Sequence, residues 1–203
     1  KPMIPVAGRP LIDHALDLLF DAGVSRIVVN THHCPGPLEA HLASEGRVTL
    51  SHESELLDTG GGLRQALPLL GTAPVWTLNA DAIWSGPNPL ASLPAPPPGG
   101  AELLLVPKDR AIGHLRPGDF FLNDDNTLTR RGTATSAPYI YTGLQLIDPR
   151  DLGQIPEEVF SLNRLWDHML AEGLLRGRIY PGRWCDVGQP ESLPLAEALH
   201  AGR

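Results

Sequence analysis

A continuous apolar run inside Arg26 to Thr31, Ile27 Val28 Val29, does most to constrain the fold of this chain. It lacks the polar alternation of a half-exposed strand, so it is expected to be buried on both faces, as strands are in a parallel sheet covered by helices. Ahead of it, Leu11, Ile12, Ala15, Leu16, Leu18 and Leu19 recur near helical spacing and stop at Ala22 Gly23. This predicts a helix from Pro10 to Ala22, with proline in the first turn and glycine at the exit. The alternation continues with a helix over Pro37–Ser44, a strand over Val48–Ser51, a helix over Gly62–Leu70 and a strand over Pro74–Leu78 ending at Asn79 Ala80 Asp81.

Repeated strand and helix in this order implies right-handed crossovers and an α/β fold, a Rossmann-like doubly wound mixed sheet with helices on both faces. Pro87–Gly100 carries Pro94, Pro96, Pro97, Pro98, Gly99 and Gly100, which suit neither a helix interior nor a central strand. A strand over Leu103–Val106 resumes at once, so this stretch reads as a surface connection and not as a domain linker. From Asp119 the pieces shorten: Phe120–Asn123, Thr127–Arg130 and Tyr139–Ile147 are candidate strands, a small antiparallel subregion with a turn at Asp124 Asp125 Asn126. Ser161–Glu172 is predicted as a helix capped by Ser161, followed by a strand near Arg178–Tyr180 and a terminal helix over Glu191–His200. With 203 residues and 42% apolar content, the chain is expected to form one domain over residues 1–203.

The formal net charge of −7 argues against a general nucleic-acid binder, while a few local cations suffice for a small anion. No stretch approaches the roughly 18 to 20 consecutive apolar residues of a membrane span. Cys34 and Cys185 are far apart and form no CxxC pair, the usage of a reduced, cytoplasmic protein. His32, His33, Cys34 and His41 cluster in sequence without a zinc spacing, leaving His33 as a possible ligand contact at a strand edge. No Gly-x-Ser-x-Gly elbow is present.

Several residues could carry chemistry. Lys1, in Lys1 Pro2 Met3 Ile4 Pro5 Val6 Ala7 Gly8 Arg9 Pro10, is a point charge suited to phosphate, although a terminal lysine is commonly just solvated. Asp81 lies at the carboxyl edge of a strand, where open α/β folds place ligands; on the residues alone it reads equally as a turn cap. Asp186, in Trp184 Cys185 Asp186 Val187 Gly188, is a second carboxylate, or a structural aspartate at a strand-to-turn junction. Thr59 Gly60 Gly61 Gly62 leads into a predicted helix and would admit a ligand close to backbone amides, but it matches neither a Walker A loop nor a dinucleotide fingerprint. Lys108 and Asp119 flank the expected acceptor side, and Gly143 would let a ligand lie close to its strand.

These segments, with Phe160 Ser161 Leu162 Asn163 Leu165 Trp166, stand in the order found in sugar-1-phosphate nucleotidyltransferases, and the opening resembles the end of that family's signature. The resemblance implies a nucleotidyltransferase domain in which Asp81 and Asp186 hold Mg²⁺ and Lys1, Gly61, Gly62 and Asn79 contact the nucleotide. It implies sugar contacts at Asp119 and Gly143, with Lys1, Asp81 and Asp186 as the catalytic set. The substrates it implies are an NTP and a sugar 1-phosphate, with no nucleic acid and no membrane, and pyrophosphate as the product. Within the family the chain looks most like the N-acetylmuramate 1-phosphate uridylyltransferases of bacterial wall recycling, which use UTP. Mannose-1-phosphate guanylyltransferases and a catalytically silent sugar-nucleotide-binding subunit are the alternatives. The family's glycine-rich loop and first strand are absent from this chain, which begins at Lys1 and is expected to be cropped at the N-terminus.

Overall fold

The computed structural model describes residues 1–202. A small hairpin of β1 (Pro5–Val6) and β2 (Arg9–Pro10) feeds α1 (Leu11–Asp21). A parallel β-α-β unit follows, β3 (Ile27–Thr31), α2 (Gly36–Leu42) and β4 (Val48–His52), and then α3 (Asp58–Leu70), β5 (Val75–Leu78) and β6 (Ala82–Ser85). The second half contains β7 (Ala101–Pro107), β8 (Phe120–Leu122), β9 (Leu128–Arg130), β10 (Tyr139–Ile147), α4 (Asn163–Ala171), β11 (Leu175–Ile179), β12 (Arg183–Asp186) and α5 (Leu193–Ala201).

The main sheet is mixed. Its path is β11-β7-β10-β8-β9, with β5 also on β10; β11 runs parallel to β7 and the other pairings are antiparallel. β7 is buried along nearly its whole length, and its two faces build two different cores. Leu103 and Leu105 join Leu63 of α3 and Leu165, Trp166 and Met169 of α4. Leu104 and Val106 join Trp84, Leu90, Leu144 and Tyr180, with Leu18 and Leu19 of α1 packed alongside. Period-two alternation along one strand thus sorts its side chains into two layers, so helices cover both faces of the sheet.

Three features depart from the sequence-based expectation. Asp58–Gly62 is the first turn of α3 and not a turn ahead of it, because Gly60 and Gly61 donate their N–H groups to the Phe160 carbonyl at 2.9 and 3.1 Å, which anchors an earlier helix start. β6, hidden in sequence because Ala82–Ser85 is short and follows directly on Asp81, pairs antiparallel with β12 in a separate two-stranded sheet. β3 and β4 are likewise not joined to the main sheet. Among the described residues β3 pairs only with β4, and β5 only with β10, so each keeps one free edge, and residues of both strands line one cavity of about 1650 Å³.

Beneath this cavity a buried polar chain ties the layers together. Trp166 Nε1–H donates to Gln145 Oε1 at 2.9 Å, and Gln145 Nε2 donates to Thr77 Oγ1 at 3.0 Å. Gln145 is fully buried. Gln145→Leu keeps the bulk but strands the indole N–H, so it is expected to destabilise the protein by about 1–3 kcal/mol, read as a lower urea midpoint at unchanged m-value.

Candidate active site

The β6–β12 ladder pairs Ala82 with Asp186 and Ile83 with Cys185. Asp81 immediately precedes β6, and its carbonyl accepts the Val187 N–H at 2.8 Å, so the backbone carries Asp81 and Asp186 to the same end of the ladder. Lys1 Nζ lies 2.6 Å from Asp81 Oδ2, with both side chains partly exposed. Lys1, Asp81 and Asp186 all line the large cavity. The three residues expected to form the catalytic set are therefore brought together by folding.

Asp186 is held on several sides. His114 Nδ1 lies 2.9 Å from Asp186 Oδ2. Burial works against ionisation of Asp186, but the hydrogen bond from His114, the nearby imidazole charge, the Gly188 N–H and the charge of Lys1 outweigh it and hold the carboxyl below its ordinary range. Asp81 and Asp186, at one end of the ladder and partly open to solvent, are an all-oxygen donor pair of the kind that suits Mg²⁺, which keeps water and phosphate oxygens as its other ligands. Burial and the neighbouring Asp186 charge push the Cys185 thiol up to about 11, so it offers no thiolate there at neutral pH. Among the described residues no group of three or more His, Cys, Asp or Glu is arranged to hold a metal. His32 bonds the Glu53 carbonyl, His41 bonds Asp13, and His33 contacts the Cys34 sulfur outside the cavity.

Residues 1–115 match the MobA-like NTP transferase domain family. The chain is also 34% identical over 98% of its length to the N-acetylmuramate alpha-1-phosphate uridylyltransferase of Caulobacter vibrioides, spanning 87% of that protein. The chain belongs to the sugar-1-phosphate nucleotidyltransferases. A mannose-1-phosphate guanyltransferase of Hypocrea jecorina is 27% identical over 98% of the chain, which spans 58% of that longer protein. In fold the chain is similar to the inositol-1-phosphate CTP transferase from T. maritima, with a TM-score of 0.79 at 16% identity, covering 98% of this chain and 86% of that one.

In this nucleotidyltransferase the other predicted residues divide. Gly62 and Asn79 line the cavity, whereas Gly61 does not: a Cβ there would lie 2.6 Å from the Glu158 carbonyl, so Gly61 serves the packing of α3. A Cβ on Gly62 would lie 2.6 Å from Glu53 Oε1 and 2.8 Å from Asn30 Nδ2. Those two side chains are bonded to each other at 2.8 Å, and Glu53 also accepts the Leu57 N–H at 3.0 Å. Gly143 sits where β10 shifts register, at φ +85°, and a Cβ would lie 2.8 Å from the Asn79 side chain. Its absent side chain thus makes room for Asn79, whose N–H donates to the Gly143 carbonyl at 3.0 Å. Asp119 lines the cavity while its Oδ2 accepts the Tyr141 N–H at 2.9 Å, so it also fastens the hairpin. Lys108 is not brought to this cavity; it bonds Ser136 Oγ at 2.9 Å beside a separate hollow.

Sequence reasoning missed His114, Asn30, Glu53, Arg116 and Arg130, all of which line the cavity. None sits in a motif; the only signal was Gly118 Asp119 Phe120 a few residues after His114. Gly62→Ala is expected to cost about 1–3 kcal/mol by forcing the Asn30–Glu53 pair apart. Gly36→Ala, where a Cβ meets nothing within 4 Å, should be neutral or mildly stabilising; thermal melts of the two variants check the contrast.

Proposed function

We propose that this chain is a single Mg²⁺-dependent domain that transfers uridine monophosphate from UTP to N-acetylmuramate 1-phosphate in the cytoplasm, a step of bacterial wall recycling. The observation that carries the reading is the β6–β12 pairing, which sets Asp81 beside Asp186 with Lys1 Nζ on the Asp81 carboxylate. The likeness to the uridylyltransferase of Caulobacter vibrioides over nearly the whole chain supports the choice of substrates. Asp81 and Asp186 would hold the cation, which when bound neutralises phosphate charge and orients the reacting oxygens.

A phosphate oxygen of the sugar 1-phosphate attacks the α-phosphorus of the nucleotide; the new P–O bond forms as the bond to the bridging oxygen of pyrophosphate breaks, and pyrophosphate leaves with that electron pair. Lys1 is held by an exposed carboxylate, a weak attachment, so its ammonium can transfer to a phosphate oxygen and stabilise the charge that develops there. Gly62, Asn79, Asp119 and Gly143 line the cavity, and on this reading the first two would border the nucleotide and the last two the sugar. No covalent intermediate is needed, since rate comes from positioning and charge neutralisation.

Pyrophosphate release with UTP and N-acetylmuramate 1-phosphate is expected to exceed that with GTP and mannose 1-phosphate, and the reverse order would replace this reading with the guanylyltransferase one. Asp81→Ala and Asp186→Ala should each lower kcat about 100- to 1000-fold. Unchanged turnover in either would remove that residue from the metal site.

A further inference from the structure

The loop between β7 and β8 contributes a side chain that no motif announced. His114 is 9% exposed, and among the described residues its Nε2 is buried without a hydrogen-bond partner and Asp186 is the one polar group its ring engages. An ionised carboxylate can only accept, so the proton of this 2.9 Å contact sits on Nδ1. The Trp184 ring bounds the imidazole with centroids 5.8 Å apart.

The backbone beneath His114 is bound to the strand that carries Asp186. Ile112 N–H donates to the Trp184 carbonyl at 3.2 Å, and Asp186 N–H donates to the Ile112 carbonyl at 2.9 Å, a parallel bridge between Ile112 and Cys185 on the edge of β12 away from β6. Ser192 Oγ–H donates to the Gly113 carbonyl at 3.2 Å, and Gly113 lies so close to β12 that a Cβ would come 2.5 Å from the Asp186 carbonyl. Histidine and aspartate are thus carried by one hydrogen-bonded backbone unit and keep their relation if the rest of the loop moves. A ring this buried, with Asp186 as its polar partner and the two residues before it bound to β12 and Ser192, does more than fill space.

We propose that His114 is a positioning residue that fixes the Asp186 carboxylate for divalent-cation binding. Its Nδ1–H occupies Oδ2 and so sets the orientation of the carboxylate plane before a cation arrives. This rests on the reading of Asp81 and Asp186 as the cation ligands. Groups that orient a metal ligand in this way typically change affinity 10- to 100-fold when removed.

The test titrates Mn²⁺ into the protein and follows the EPR signal of the free ion. His114→Phe keeps the ring volume against Trp184 and removes the donor, and it is expected to weaken Mn²⁺ binding about 10- to 100-fold. His114→Asn places an amide N–H near the position of Nδ1 and should bind within about threefold of wild type. UTP binding in EDTA should be unchanged in both. His114→Ala serves as a second variant without the donor if His114→Phe folds poorly by circular dichroism. Wild-type Mn²⁺ affinity in a folded donor-less variant overturns the proposal, as does equal weakening in the asparagine and donor-less variants. Failure of the wild-type protein to bind Mn²⁺ would instead overturn the metal reading of Asp81 and Asp186.

Discussion

The short antiparallel ladder between β6 and β12 is the contact on which the site depends. Its four residue pairs join segments about a hundred residues apart, and Asp81 and Asp186 stand at the same end of it. Edge contacts of Trp84 with Tyr180 and Trp184 brace one side, while Ile83 and Cys185 are sealed against Leu11, Ala196 and Leu199 on the other. α1 and α5 therefore back the ladder that carries Asp81 and Asp186. A change in their packing reaches Asp81 and Asp186 through two fully buried side chains, Ile83 and Cys185.

Electrostatically the site sets both signs of charge side by side on one wall, Lys1, Arg26, Arg116 and Arg130 among Glu53, Asp58, Asp81, Asp119 and Asp186. The chain as a whole is acidic, yet Lys1, Arg116 and Arg130 border the same cavity as Asp81 and Asp186. The Lys1–Asp81 pair is short but partly exposed, and pairs of that kind contribute only about 0–1 kcal/mol, so an arriving phosphate or cation can separate them at small cost. Asp186 differs, since buried donors and neighbouring charge hold it ionised. One carboxylate is thus readily exchanged between partners and the other is fixed.

The glycines of the cavity wall work chiefly by leaving room. Gly62 admits the Asn30–Glu53 pair and Gly143 admits Asn79. In each case the missing side chain lets a polar group reach a wall that is otherwise largely aliphatic, with Leu16, Val28, Val29 and Leu63 among its residues. His114 belongs to the same pattern, because the close approach of Gly113 to β12 brings its imidazole to Asp186.

Local sequence was enough for the elements whose signal is a period. The leucine spacing of α1, the apolar run of β3 and the turn at Asp124 to Asn126 each report a conformation through near neighbours, and α1, β3, β8 and β9 lie within a few residues of where those signals put them. Asp81 and Asp186 were legible as strand-end carboxylates in family-like segments. Only tertiary structure decided that they meet, because a four-residue strand such as β6 has too few residues for a periodic signal and is stabilised by its partner. The same holds for His114 and Glu53, whose surroundings are built from residues distant in the chain, and for the first turn of α3, where the Phe160 carbonyl overrides the turn propensity of three glycines. Propensity and periodicity act over a few residues, whereas a site is assembled by hydrogen bonds and packing between segments far apart in sequence, and those interactions exist only once the chain has folded.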